Sequence, residues 1–338
     1  MKFLIAGLGS IGRRHLCNLL ALGERDIVLY RTFHSTLPED DLSGFPVETD
    51  LNRALDHHPD AVIVANPTAL HLEVAIPAAE AGCHLLLEKP ISHNLERVDE
   101  FKQIVARKGV RVLVGFQFRF HPGLQTVHRL LQESAIGRPL SVRAVYGEYL
   151  PLMHPWEDYR LGYSARRELG GGVVLTLCHP LDYLRWLFGE VRAIWGFVAR
   201  LNELEISVED TAEIALQFRN DLIGSVHLNY NQRPPQHILE VIGTQGTLQW
   251  DNRDGAVRCY RAFESAEDGR DEGVWEVYPP PVGFERNDMF LAEMRHFLEV
   301  VRGEAEPLCT LEDGIRALEL ALGAHASNQL GRVIDLEG

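Results

Sequence analysis

Three glycines are the first residues whose spacing points to chemistry. Gly7, Gly9 and Gly12 form G-x-G-x-x-G in LIAGLGSIGRRHLCNLL, directly after an apolar run and at the start of a helical pattern. The first two permit a tight turn and close approach of the backbone to a ligand, and the third permits close helix packing. In this strand-turn-helix setting the amides of Ser10 and Ile11 open a helix toward a pyrophosphate. The spacing predicts a dinucleotide site. A second group ends the run CHLLLEKP, where Leu85, Leu86 and Leu87 lead into Glu88, Lys89 and Pro90. A lysine leaving a buried strand at the ligand edge can bring its ammonium to a substrate hydroxyl or a developing alkoxide, and Pro90 restricts the backbone that aims it. An exposed lysine in a turn is the competing reading. Glu88 and Lys89 both count among the expected cofactor contacts.

Neighbouring runs end at the same edge. DIVLYRTFHST reaches Tyr30 and Arg31 with no Asp or Glu at that point. A carboxylate there holds the 2′-hydroxyl of NAD, whereas an arginine suits the 2′-phosphate of NADP, so Arg31 predicts NADP(H) in preference to NAD(H). VIVANPTALH ends in Asn66 and Pro67, expected beside the cofactor. His71 follows, either lining the nicotinamide pocket or packing a helix start. Further on, VGFQFRFHPG and GEYLPLMHPWEDYRLGYSARRELGGG supply Arg119, Trp156, Tyr163 and Arg166 as candidate substrate contacts, with His121 pointed at the same cleft. Aromatic faces suit a sugar ring, and guanidinium groups suit a carboxylate or phosphate. Ion pairs with Glu148, Glu157 and Asp158 are the alternative use of these arginines.

These side chains need elements to hold them. From Met1 to about Gly115, short apolar runs alternate with helical patterns, which predicts a doubly wound parallel Rossmann sheet of the α/β class. After about Pro122 strands follow one another, as in LSVRAVYGEY, AEIALQF, LIGSVHLNY and HILEVIG. That rhythm predicts an α+β domain with a large, mostly antiparallel, open-faced sheet. The expected division is 1–121 for dinucleotide binding and 122–338 for substrate binding and oligomerisation. An open face carrying Trp195, Tyr230 and Trp250 predicts a homodimer or homotetramer through that sheet, with cover by the protein's own helices as the alternative. Phe290, Met294, Phe297 and Val301 make one helical stripe, and Thr310 with Asp313 forms a helix-start box.

Composition sets the outer limits. A net charge of -15 argues against a nucleic-acid surface, because affinity for a phosphate backbone rests on clustered cations. Five cysteines without a CxxC pair point to reduced thiols, a cytoplasmic compartment and no metal site. Neither an export signal nor a membrane-spanning run is read.

Three stretches together resemble the Gfo/Idh/MocA oxidoreductases over essentially the full chain. They are Gly7-Leu8-Gly9-Ser10-Ile11-Gly12, NPTALH with AGCHLLLEKP, and GGGVVLTLCHPLDYLRWLFG. The resemblance implies a Rossmann domain followed by a domain with an open-faced sheet, a nicotinamide cofactor, and sugar or cyclitol substrates. It implies that Lys89 is catalytic, with a Lys89-Pro90 bond that is often cis. The second catalytic residue is then His179, whose neutral imidazole takes the hydroxyl proton as hydride leaves. Asp182, one turn further on, is expected to bond His179 or a substrate hydroxyl, or else to serve its helix start. Many members carry an aspartate four residues before this histidine; here Leu175 stands there with Thr176 beside it, so Thr176 is expected at the substrate without an anion's charge. The loop from Gly147 onward resembles a subgroup associated with acidic and surface-polysaccharide sugars, which implies an anionic or nucleotide-linked sugar. The function read is NAD(P)-dependent hydride transfer to or from a hydroxyl or ketone of a sugar, sugar acid or cyclitol. Cofactor-retaining glycoside cleavage and a non-catalytic dinucleotide sensor are the alternatives.

Overall fold

The computed structural model describes residues 1–32, 42, 44–262 and 273–336. The first half forms a six-stranded sheet from β1 (Lys2–Ala6), β2 (Asp26–Tyr30), β3 (Val47–Glu48), β4 (Ala61–Val64), β5 (His84–Glu88) and β6 (Val112–Gly115). Every pairing is parallel, and the order is β3-β2-β1-β4-β5-β6. AVIV of β4 and VLVG of β6 are buried along their whole length, which is why they read as continuous apolar runs. The chain steps outward from β1 on one side through β2 and on the other through β4. That reversal opens a crevice beyond the carboxyl ends of the strands, where Gly7, Arg31, Asn66 and Lys89 all lie.

The second sheet has nine strands: β7 (Pro139–Tyr149), β8 (Val191–Ala199), β9 (Thr211–Phe218), β10 (Ile223–Asn229), β11 (Asn231–Gly243), β12 (Gly246–Asp251), β13 (Val257–Ala262), β14 (Gly273–Tyr278) and β15 (Ile334–Asp335). Their order is β14-β13-β12-β11-β7-β10-β9-β8-β15, antiparallel throughout except for the parallel pair β7 and β10. Strict alternation of buried and exposed residues along β9 marks a sheet with one covered face. The helix Leu311–Leu330 covers that face, with Gly196 of β8 set directly against Ala324. Trp195, Phe197, Ile223 and Val277 are exposed. Tyr230 and Trp250, expected on the open face, are instead fully buried. The Tyr230 hydroxyl donates to the Ser164 carbonyl at 3.3 Å, and Trp250 packs edge-on against His121 and His237.

Two late helices tie the sheets together. Arg286–Arg302 buries Phe290, Met294 and Phe297, the stripe its spacing predicts, while Val301 is half-buried. Leu311–Leu330 starts on the Thr310/Asp313 capping box. Its Gly314 lies so close to Ile91 and Val114 that a Cβ would stand 2.6 Å and 2.9 Å from their side chains. The Val114 amide donates to the Cys309 carbonyl at 2.9 Å. These contacts fix the exit of β5 opposite residues of the second half. The five cysteines are free, and among the described residues no helix is long and apolar enough to cross a membrane.

Candidate active site

The glycine turn fits a dinucleotide. Gly7 has φ +94°, and a Cβ there would lie 2.6 Å from the Asn66 amide nitrogen; one on Gly12 would collide with the Gly7 carbonyl. A Cβ on Gly9 would meet nothing within 4 Å. Gly7 and Gly12 are thus required by packing, whereas the backbone at Gly9 faces open space. The helix Ser10–Ala21 has no side-chain cap and no acidic residue in its first turn, so its leading amides are left for an external anion. Gly9, Ser10 and Ile11 would hold the pyrophosphate. Arg31 follows β2 at the same edge, its amide donating to Glu48 O at 3.0 Å while Gly7 N–H donates to Tyr30 O at 3.0 Å. The rest of that stretch, from residue 33, lies outside the described residues.

Behind this edge, two expected cofactor contacts turn inward. His71 is buried, with Nδ1 2.9 Å from Pro90 O and Nε2 2.9 Å from Asn66 O. Burial holds its pKa below the ordinary value; the neutral ring donates to one of these two carbonyls and packs between the Asn66-Pro67 turn and the loop after Lys89, behind the cleft. Glu88 is buried 2.8 Å from His15 Nε2, and its other oxygen accepts the Lys89 amide at 3.2 Å. Burial disfavours its charge, but His15 foremost, with Lys89 and His71, outweighs that and holds the carboxyl below its usual range. Both residues position the edge from within.

Lys89 and His179 come together at the cleft. The Lys89-Pro90 bond is cis, as the resemblance implied. Lys89 Nζ donates to the Thr176 carbonyl at 2.8 Å, an acceptor left open because the short helix Val173–Thr176 ends there. Burial opposes the ammonium, but Tyr163, Cys178, Glu88 and Glu148 around it outweigh burial and raise its pKa. His179 begins the helix His179–Phe188 and is buried between Phe116 and Phe118, at ring distances of 5.7 and 4.8 Å. Its Nε2 lies 3.3 Å from Gln117 Nε2, and its Nδ1 has no hydrogen-bond partner among the described residues. Burial first, then the charge of Lys89, pushes the imidazole well below its ordinary value. The surroundings of Lys89 and His179 thus push their protonation in opposite directions.

Other expected contacts are used up inside the protein. Arg119 and Asp182, each 2% exposed, form a bidentate pair at 3.0 and 2.7 Å, and Arg119 also donates to Leu308 O at 2.7 Å. They join the helix His179–Phe188 to the start of Leu311–Leu330, and both are turned into internal contacts. His121, thought to point into the cleft, instead accepts the Gly123 amide at 3.0 Å as a helix cap. Arg166 pairs with Glu168 at 2.7 Å, and Arg160 with Asp158 and Glu205; of the partners expected for these arginines, Glu148, Glu157 and Asp158, these ion pairs include only Asp158. Trp156 is 60% exposed, Tyr163 stands beside Lys89, and the Thr176 side chain is buried. Sequence reasoning missed Gln117, which contacts His179, and Tyr146, which donates to Glu148 Oε1 at 3.0 Å and stacks on His237 at 4.0 Å. Gln117 lay within a quoted stretch, but nothing in its spacing marked it.

A Rossmann crevice closed by an open-faced sheet, with a lysine and a histidine at their junction, defines an NAD-binding oxidoreductase. Comparison with known proteins gives the family. "Oxidoreductase family, NAD-binding Rossmann fold" matches residues 1–116, and "GFO/IDH/MocA C-terminal domain" matches 124–249. The chain belongs to the GFO/IDH/MocA oxidoreductases. It is 29% identical to the myo-inositol 2-dehydrogenase of Thermotoga maritima, covering 100% of this chain and 99% of that one. It is 26% identical to the levoglucosan dehydrogenase of Pseudarthrobacter phenanthrenivorans, covering 76% and 75%. The fold matches a levoglucosan dehydrogenase in complex with NADH and levoglucosan, with TM-score 0.85 and 21% identity over 100% of both chains. It also matches the WlbA dehydrogenase of Bordetella pertussis in complex with NADH and UDP-GlcNAcA, with TM-score 0.82 and 23% identity over 100% of this chain and 99% of that one.

Proposed function

We propose that this oxidoreductase transfers hydride between NAD(P) and a secondary hydroxyl or ketone of a sugar, sugar acid or cyclitol, with Lys89 and His179 managing the proton. The observation that carries the reading is the placement of the pair: Lys89 Nζ donates to the Thr176 carbonyl at 2.8 Å, three residues before His179, whose Nδ1 has no partner among the described residues. The nicotinamide, when bound, supplies the hydride acceptor or donor. Lys89 donates to the reacting oxygen and favours its anionic form. His179 exchanges the hydroxyl proton at Nδ1, and Gln117 serves either imidazole tautomer by turning its amide. Trp156 and Tyr163 offer the sugar an apolar face.

The residue type at the end of β2, an arginine at position 31, supports NADP(H) over NAD(H). The exposed Trp195, Phe197 and Ile223 support a homo-oligomer formed through the open sheet, to be read from the sedimentation mass. The experiment for the reaction is incubation of purified protein with each dinucleotide and a panel of polyols and sugars, following nicotinamide absorbance. Stoichiometric cofactor turnover, lost in Lys89→Ala, is the expected result. Glycoside cleavage with no net cofactor change would replace it with transient oxidation, and binding without any turnover would leave a sensor.

A further inference from the structure

The arginines of the substrate loop are engaged, yet one cation at the cleft is not. Arg286 forms no hydrogen bond or ion pair with any described residue, and its own side chain is exposed. Its backbone is held on both sides. Two residues earlier, Phe284 packs edge-on against His121 at 5.1 Å. One residue later, Asn287 donates to Asn18 Oδ1 at 3.0 Å and accepts from Arg14 Nη1 at 2.9 Å. Arg286 therefore stands at the seam where the helix Arg286–Arg302 meets the glycine-turn helix and the aromatic floor of the second sheet. The His121 ring that Phe284 touches stacks on Phe118 at 6.1 Å, and Phe118 packs on His179 at 4.8 Å, so Arg286 starts its helix beside the ring cluster that holds His179, and its charge acts on that histidine and on His154.

The charges around it leave a place for an anion. Arg14 is occupied by Asn287 and by the Phe290 ring, 4.7 Å away. Glu148 accepts the Tyr146 hydroxyl and lies beside Lys89, which answers its charge. Glu157 acts on His154 and has an interaction of its own. His154, His179 and His237 are all pushed toward the neutral form and add no positive charge. A guanidinium with no partner among the described residues suits bidentate binding of a carboxylate or phosphate.

We infer that Arg286 is a specificity residue that binds an anionic group, a carboxylate in the first instance, on the sugar whose hydroxyl meets Lys89. The inference rests on the hydride-transfer reading for its site, but it is tested by binding alone. Protein loaded with reduced dinucleotide is titrated with D-glucuronate, D-galacturonate and D-mannuronate, each against its neutral hexose, following nicotinamide fluorescence. At least one uronate is expected to bind about tenfold or more tightly than its hexose, and Arg286→Gln is expected to abolish that difference without changing hexose or dinucleotide affinity. Equal binding of all three pairs to the wild type, or a preference that survives Arg286→Gln, overturns the inference. Loss of dinucleotide affinity in Arg286→Gln also overturns it, because the anion read would then be the cofactor's own phosphate. Failure of hydride transfer in the turnover assay leaves these binding outcomes legible by themselves.

Discussion

Lys89 Nζ meets the backbone carbonyl of Thr176, at 2.8 Å, and not a side-chain carboxylate. Leu175 and Thr176 stand where the resemblance leads one to expect an aspartate, and the acceptor for Lys89 here is a backbone carbonyl. Thr176→Val should therefore keep turnover within a few-fold of wild type, whereas Lys89→Met should lower kcat by about 10²-fold or more. Steady-state kinetics on the first substrate found would show it. A collapse in Thr176→Val would mean that the hydroxyl, not the carbonyl, is the working group.

The same pair sets a pH profile. His179 is depressed well below 6.5 and Lys89 is raised above 10.5, so the neutral base and the charged acid coexist across the interval between those values. A plot of log kcat/KM should be flat from about pH 6.5 to about pH 10, with the acid limb below and the alkaline limb above. An inflection near pH 7 that disappears in His179→Ala would contradict the buried, neutral assignment.

Stability should respond to acid for a related reason. Burial lowers His121 to about 4 and also lowers His71, His179 and His237. Each is neutral in the folded protein and takes up a proton near pH 6.5 when unfolded, so its contribution is complete above that value and is lost as pH falls toward the folded pKa. The Tm should drop steadily between pH 6.5 and 4. His121→Asn, which keeps a cap acceptor for the Gly123 amide, should flatten that slope; an unchanged slope in calorimetry would remove His121 from the account.

What the sequence shows and what it hides follow from how local each signal is. The runs of β4 and β5, the glycine turn and the Thr310/Asp313 box depend on residues within one turn or strand, and all appear where their spacing places them. Tyr230 and Trp250 looked like open-face residues because a strand's two faces are equivalent in its pattern; only the helix that lands on one face decides which is buried. Arg119 lies 63 residues from Asp182, and a pairing at that separation has no periodic trace. Arg286 was passed over for the opposite reason, since an arginine at a helix start reads as solvated until its neighbours are known.

The Arg119 and Asp182 pair can be tested as a structural element. Both are buried, and Arg119→Met would leave a carboxylate without its bidentate partner. A loss of about 3–5 kcal/mol in denaturant unfolding is expected, while Arg119→Met with Asp182→Leu should recover part of it, because no buried charge then remains alone. If the double variant were as unstable as the single one, the Leu308 carbonyl and Asp313 contacts of Arg119 would be the stabilising ones.

The proposed cofactor preference can be tested at one side chain of the crevice. Arg31 leaves β2 with its backbone bonded to Glu48, so the residue type at 31 can change without disturbing the ladder that holds it. Arg31→Asp would replace a cation suited to a 2′-phosphate with a carboxylate that accepts from a 2′-hydroxyl and repels the phosphate. Fluorescence titration should show NADPH bound more tightly than NADH by the wild type and the order reversed in Arg31→Asp. The repulsive half is the more diagnostic: weaker NADPH binding at unchanged NADH binding would still place residue 31 at the ribose. A wild type that prefers NADH, with an order untouched by the substitution, would put the reader of the ribose elsewhere on the crevice.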